Sequence, residues 1–271
     1  MGRERIAQTF ADTKARGGAV FVAYITAGDP SIESTVRLVR ELEANGTGLV
    51  ELGVPFSDPV ADGPVNQDAA TRALAGGVTL SDILVAVTEI RRSSETPIIL
   101  FAYYNTILQY GLEAFARDGA ASGIDGALVL DLPPEEAEEY KRMMDEAGLA
   151  TVFLVSPVTP PERMELIARY ATGFVYYVSQ LGVTGERREV AVTAPQMIAR
   201  IREVTGVPVA VGFGISTPEQ VREAAGFADG VIVGSAIVKR IGEHGAEPGF
   251  EHGIGSFTGT LTSPLKGQAH G

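Results

Sequence analysis

The order of strand and helix candidates predicts an α/β fold, a (β/α)8 TIM barrel with an extra N-terminal helix. Three observations carry this. Short apolar runs alternate with amphipathic, helix-patterned runs along the chain. Eight such units fit within about 250 residues, the arithmetic of a closed barrel. Glycine-rich turns follow the last two strands, where barrels commonly hold a ligand. A doubly wound open sheet is the competing architecture.

The first predicted element is a leading helix over Arg3 to Lys14, ended near Gly17 and Gly18. A strand over Val20 to Ile25 and an amphipathic helix over Ser31 to Ala44 follow. The second strand, Leu49 to Leu52, runs into a polar, proline-stiffened loop. Gln67 to Leu74 and Leu80 to Arg92 read as two helical pieces split at Gly76 and Gly77. The third strand is Ile98 to Tyr103, with a helix near Leu112 to Asp118. The fourth, Ala127 to Leu130, ends at Asp131 before a helix that starts near Pro134 with acids in its first turn.

The fifth strand is Thr151 to Val155, and Pro160 and Pro161 start the next helix. The sixth, Phe174 to Val178, leads into Gln180 to Val190, rich in glycine and charge. That loop reads as a mobile lid hinged at Gly182 and Gly185, with Thr184 reaching inward; a plain surface loop is the alternative. Pro195 to Val204 is helical, Val207 to Val211 is the seventh strand, and Pro218 to Ala225 is helical again. The eighth strand, Val231 to Val233, opens directly into a helix over Ser235 to Ile241. From about residue 244 the composition turns to Gly, Pro, Thr and His. One short helix at most, Ile254 to Leu261, and a poorly ordered end are expected there. Residues 1–271 are read as a single barrel domain.

The 271 residues carry 22 basic and 34 acidic side chains, a net charge of −12. That balance argues against nucleic-acid and anionic-membrane partners, and any phosphate must be held locally. The absence of cysteine excludes disulfides, thiolate metal sites and cysteine nucleophiles. The N-terminus lacks an apolar signal-peptide core, and no apolar run approaches the ~18 residues of a membrane span, so a cytoplasmic protein is expected. His244, His252 and His270 all lie in the C-terminal segment, so neither a histidine triad nor a zinc cluster is expected in the barrel mouth. Neither a Walker A loop nor a dinucleotide fingerprint is present.

What remains is carboxylate chemistry. Glu51 lies just before the end of the second strand, and alternation against Val50 and Leu52 points it into the barrel. A carboxyl in that apolar mouth should have its pKa raised by desolvation, which suits a proton donor and acceptor. The alternative is a structural acid paired with a basic residue. Asp62 sits on the loop above, placed either to accept from a substrate N–H or simply to form the turn before Gly63. The turns Gly212-Phe213-Gly214-Ile215-Ser216 and Gly234-Ser235 are suited to an anion, because glycines allow close backbone approach and helix N-termini offer amides. Tyr24, Tyr103, Tyr176 and Phe213 near strand ends could line a flat apolar pocket, or could be core.

The block Val50 to Pro64, VELGVPFSDPVADGP, preceded by YITAGDP and followed in order by GVTG, GFGIS and GSAIVK, resembles the tryptophan synthase alpha subunit family over roughly Phe21 to Arg240. The resemblance implies a carbon–carbon lyase of tryptophan biosynthesis, which cleaves indole-3-glycerol phosphate by a retro-aldol reaction to indole and glyceraldehyde 3-phosphate. It implies Glu51 as acid and base, Asp62 as the stabiliser of charge at the indole nitrogen, and Tyr176 as an assisting tyrosine. It implies Gly185, Gly214, Gly234 and Ser235 as phosphate contacts, beside the inward-reaching Thr184 of the lid, and Tyr24, Phe101, Tyr103, Leu128 and Phe213 around the indole. No cofactor and no metal are implied for this chain. Pyridoxal phosphate is expected on a partner beta subunit, in a heterotetramer of two alpha and two beta chains, with the loop around Pro55 to Asp58 facing that partner. Ala23 departs from the family's usual proline, and Asn66 stands where an apolar residue usually follows Gly-Pro-Val. Two other functions stay open at this level: a binding subunit that only activates its partner, and an isomerase or epimerase on ribose phosphates.

Overall fold

Strand residues of this chain are almost all buried on both faces, the signature of a parallel sheet covered by helices. In the computed structural model, which describes residues 2–178, 187–212 and 214–265, eight parallel strands close into a barrel in sequence order. They are β1 Val20–Thr26, β2 Leu49–Gly53, β3 Ile98–Ala102, β4 Gly126–Val129, β5 Ala150–Val155, β6 Val175–Val178, β7 Val209–Gly212 and β8 Gly230–Val233. Pairing of Val20 with Gly230 and of Ala23 with Val233 joins the last strand to the first.

The helices, in order, are α1 Gly2–Ala15, α2 Ile32–Ala44, α3 Pro64–Ala75, α4 Leu80–Arg91, α5 Tyr104–Tyr110 and α6 Leu112–Ser122. There follow α7 Glu138–Glu146, α8 Pro161–Tyr170, α9 Arg187–Val204, α10 Pro218–Ala225, α11 Ser235–His244 and α12 Phe250–Thr262. Side-chain alternation divides the apolar residues into two layers. Val22, Leu49, Ile99, Leu128, Val152 and Ile232 fill the barrel interior, whereas Val50, Leu52, Leu100 and Val231 face the helices. Helix α1 closes the N-terminal end of the barrel, with Ile6 and Phe10 packed into the interior layer. Its Arg5 pairs with the buried Asp125, which also takes Arg91 at 2.7 Å and the Ile98 amide at 2.7 Å.

Three expectations need correction. The segment after β3 carries an unforeseen helix, α5; its first amide, at Tyr104, donates to Asp131 Oδ1 at 2.6 Å, so a residue from the next βα unit supplies the cap. The helix expected over Pro195 to Val204 begins at Arg187, with Pro195 inside it. The short helix expected over Ile254 to Leu261 is longer, α12 Phe250–Thr262, and its glycines have a packing reason. A Cβ on Gly255 would stand 2.7 Å from Asn45 Nδ2, and one on Gly259 would stand 2.9 Å from Asn45 Oδ1. The small residues let α12 lie close against the end of α2. Thr262 Oγ1 donates to the Asn45 carbonyl at 2.7 Å, and Arg37 pairs with Glu251 at 2.7 Å.

Candidate active site

Register places Tyr24, Glu51 and Ile99 side by side on β1, β2 and β3. Because Leu49 faces the interior, Glu51 two positions on faces it too, at the C-terminal end of the barrel. Its side chain is fully buried, and neither carboxyl oxygen has a hydrogen-bond partner. Among the described residues, therefore, no base pairs with this acid. Desolvation, with nothing to offset it, pushes the Glu51 pKa up to about 8. The side chain is therefore a neutral acid at pH 7, able to give a proton and then take one back.

Glu51 lines a cavity of about 490 Å³ at this end of the barrel. Around the same cavity stand Asp62, Tyr176, Tyr24, Phe101, Gly214, Gly234 and Ser235. A larger hollow of about 800 Å³ opens at the opposite end, between Arg16, Thr47 and Leu265. It holds none of these groups and lies at the end of the barrel that usually serves stability.

Asp62 is half-buried in the loop before α3, and it is more than a turn former. Tyr103 Oη donates to its Oδ2 at 2.9 Å, and Asn66 Nδ2 donates to its Oδ1 at 3.4 Å. Burial raises the Asp62 pKa, and these two donors oppose that rise by favouring the charged form. Tyr103 in turn accepts the Ala61 amide at 2.9 Å, and its ring stacks on Phe56 with centroids 4.9 Å apart. Tyr103 thus stands behind the cavity wall and ties the loop to β3.

Tyr24 and Phe101 meet edge to face, with centroids 5.1 Å apart, and form an apolar wall. The Tyr176 hydroxyl has its pKa raised well above the ordinary tyrosine value, first by burial and then by Glu51 and Tyr24 nearby. It stays protonated, a hydrogen-bond donor beside Glu51. Glycine makes room for both phenols. A Cβ on Gly212 would lie 2.3 Å from the Tyr176 hydroxyl, and one on Gly53 would lie 2.2 Å from the Tyr24 hydroxyl. Leu128 is fully buried in the interior layer, one shell below the cavity.

At the far side, Gly234 precedes α11, whose free N-terminal amides begin at Ser235. Among the described residues that line the cavity, Lys239 is the only basic one. Lys239 lies one turn beyond Ser235 on the same helix face, a spacing that could have flagged it from sequence. Leu130, Leu154 and Ile232 also line the cavity; they continue the inward alternation of their strands and were not singled out. Thr184, Gly185 and Phe213, with the lid expected over Gln180 to Val190, lie wholly or in part outside the described residues.

The site therefore joins a neutral buried carboxylic acid, a second carboxyl group held by two donors, an apolar aromatic slot and an anion-receptive helix end. Residues 10–252 match the family model described as tryptophan synthase alpha chain. The chain is 47% identical over 262 residues to the tryptophan synthase alpha chain of Geotalea uraniireducens, covering 97% of this chain and 98% of that one. It is 52% identical over 235 residues to that of Geobacter sulfurreducens, covering 87% and 89%. A crystal structure of the tryptophan synthase alpha chain from Legionella pneumophila superposes with a TM-score of 0.90 at 39% identity, covering 98% of this chain and 99% of that one.

Proposed function

The chain belongs to the tryptophan synthase alpha chain family, and on that premise we propose that Glu51, Asp62 and Tyr176 carry the family's lyase reaction in this protein. The reaction is the retro-aldol cleavage of indole-3-glycerol phosphate to indole and glyceraldehyde 3-phosphate, a step of tryptophan biosynthesis. The observation that supports the assignment best is Glu51 itself, a fully buried and unpartnered acid facing Asp62 across one cavity.

Glu51 gives its proton to indole C3, which leaves positive charge on the ring nitrogen. Asp62 faces that N–H as a carboxylate and stabilises the charge. The glycerol hydroxyl next to the ring then loses its proton to the Glu51 carboxylate, the bond from C3 to the glycerol carbon breaks, and its electrons restore the indole. The deprotonated hydroxyl becomes the aldehyde of glyceraldehyde 3-phosphate. Glu51 ends protonated, as it began. Tyr176 donates a hydrogen bond at the glycerol side. Tyr24 and Phe101 hold the ring, while Gly214, Gly234 and Ser235 offer backbone amides to the phosphate, with Thr184, Gly185 and Phe213 assigned to the same substrate.

The alpha chain of this family carries no cofactor; pyridoxal phosphate belongs to the beta subunit, its partner in the heterotetramer. The partner face is proposed at the C-terminal rim of the barrel. Val60, Leu108 and Val158, which follow β2, β3 and β5, are exposed there at 86%, 52% and 82%. Among the described residues no single helix is long and apolar enough to cross a membrane. A cytoplasmic site and a single barrel domain complete the proposal. The deciding experiment is an assay of indole release from indole-3-glycerol phosphate by the purified chain, alone and with a beta subunit. No release in either case would refute the assignment.

A further inference from the structure

Giving up its proton turns Glu51 into a carboxylate in a place where, among the described residues, neither of its oxygens has a donor. A charge so placed is unfavourable unless some group turns toward it. Two phenols line the same cavity, Tyr176 and Tyr24. Tyr176 is assigned to the glycerol side of the substrate. The Tyr24 ring serves the apolar wall, but nothing in the reaction uses its hydroxyl.

The backbone sets that hydroxyl over Glu51. Tyr24 and Glu51 are register partners on β1 and β2, and both line the cavity. Gly53 is the next inward position on β2, one step toward the mouth of the barrel, and Leu52 between them faces the helices. The phenol fills the space that a side chain on Gly53 would need: a Cβ there would lie 2.2 Å from Tyr24 Oη and 2.7 Å from Cζ. Two strand positions span about 6.6 Å. A carboxyl carried out on the two methylenes of Glu51 leans across that gap.

The charges around the phenol agree with this placement. Its pKa is raised above the ordinary tyrosine value first by burial and then by Asp62, with Glu51 and Tyr103 contributing less, so it keeps its proton. Thr26 Oγ1, buried without another partner, approaches the phenol oxygen as a donor and leaves the Tyr24 proton free to point into the cavity. Asp62 does not need that proton, since Tyr103 and Asn66 each donate to one of its oxygens. Helices α3 and α11 meet the ring through apolar Val65, Ala69 and Val238, and Lys239 of α11 stands on the phosphate side. We propose that Tyr24 is a positioning residue for the lyase step, whose hydroxyl donates to the Glu51 carboxylate once Glu51 has given its own proton to the substrate. This rests on the reading of the site as an indole-3-glycerol phosphate lyase.

The test is Tyr24→Phe, which keeps the ring and its contact with Phe101. Indole release is measured across pH for wild type and variant, each with the beta subunit. Loss of one donor to a carboxylate lowers kcat by about ten- to a hundredfold, while KM is little changed. Because the donor favours the charged form of Glu51, its removal raises the Glu51 pKa, and the alkaline limb of the kcat profile moves up by about one pH unit or more. In a Glu51→Gln background, where no carboxylate forms, adding Tyr24→Phe brings no further loss. An unmoved alkaline limb overturns the proposal and assigns the hydroxyl to packing. A shift of the acidic limb in its place also overturns it, because the hydroxyl would then serve Asp62. Both results leave the lyase reading intact. A wild type that releases no indole overturns that reading and the proposal together.

Discussion

The Tyr103 hydroxyl donates to Asp62 Oδ2 at 2.9 Å while accepting the Ala61 amide at 2.9 Å, so one phenol just after β3 fixes both the Asp62 carboxyl and the loop that carries it. The hydrogen bond favours the charged form of Asp62 against the opposing effect of burial. Tyr103→Phe removes it, and the Asp62 pKa rises. With Asp62 proposed to act as a carboxylate, the acidic limb of the kcat/KM profile should move to higher pH, with kcat lowered roughly tenfold or more. A loss of kcat with an unmoved acidic limb would assign Tyr103 to packing alone.

Glu51→Gln replaces a neutral acid with a neutral amide of the same shape, in a pocket that offers it no partner. Indole release should fall by about 100- to 10,000-fold, the worth of a positioned acid and base. Circular dichroism and binding of the beta subunit should be unchanged. Near-wild-type turnover would remove Glu51 from the mechanism.

The alkaline limb of the rate profile should fall near pH 8, because Glu51 must be protonated to donate and its pKa is raised to about 8. Stability follows from the same shift. The folded chain keeps a proton that the unfolded chain releases above the ordinary value of 4.5, so Glu51 destabilises the fold progressively as pH rises from 4.5 through about 8. The Tm of Glu51→Gln should therefore match the wild type near the low end of that window and exceed it at the high end. A gap that does not change with pH would contradict the burial of an unpartnered acid.

Gly212→Ala places a methyl group 2.3 Å from the Tyr176 hydroxyl. Overpacking of this kind costs about 1–3 kcal/mol, and the displaced phenol should lower kcat. Urea unfolding and turnover measure the two effects. Adding Tyr176→Phe removes the oxygen but leaves the ring carbon Cζ at 2.7 Å, so the double variant should regain only part of the stability and none of the activity. Failure of the second change to restore stability would place the clash elsewhere.

Lys239 is the cation among the described residues that line the cavity, in a chain of net charge −12. Lys239→Gln should raise KM for indole-3-glycerol phosphate several-fold and flatten its dependence on ionic strength, with kcat little changed. An unaltered salt dependence would show that the backbone amides alone hold the phosphate.

Much of this protein follows from its sequence. Alternation within VELGV decided that Glu51 points inward, because a strand side chain has only two faces and both neighbours are apolar. Glycine turns after β7 and β8 pointed to the end where the phosphate is proposed to bind, since their chemistry is local. What sequence left open was settled by partners distant along the chain. Asp62 reads equally as a turn former until Tyr103, 41 positions away, is seen to hold it. Helix α5 is capped by Asp131, 27 positions on. The glycines of α12 look like disorder until Asn45 and Glu41 of the α2 end occupy the space their side chains would need. In each case the sequence supplies the residue and its local preference. The closed barrel decides which other residue it meets, because burial, hydrogen bonding and close approach are properties of pairs brought together only in three dimensions.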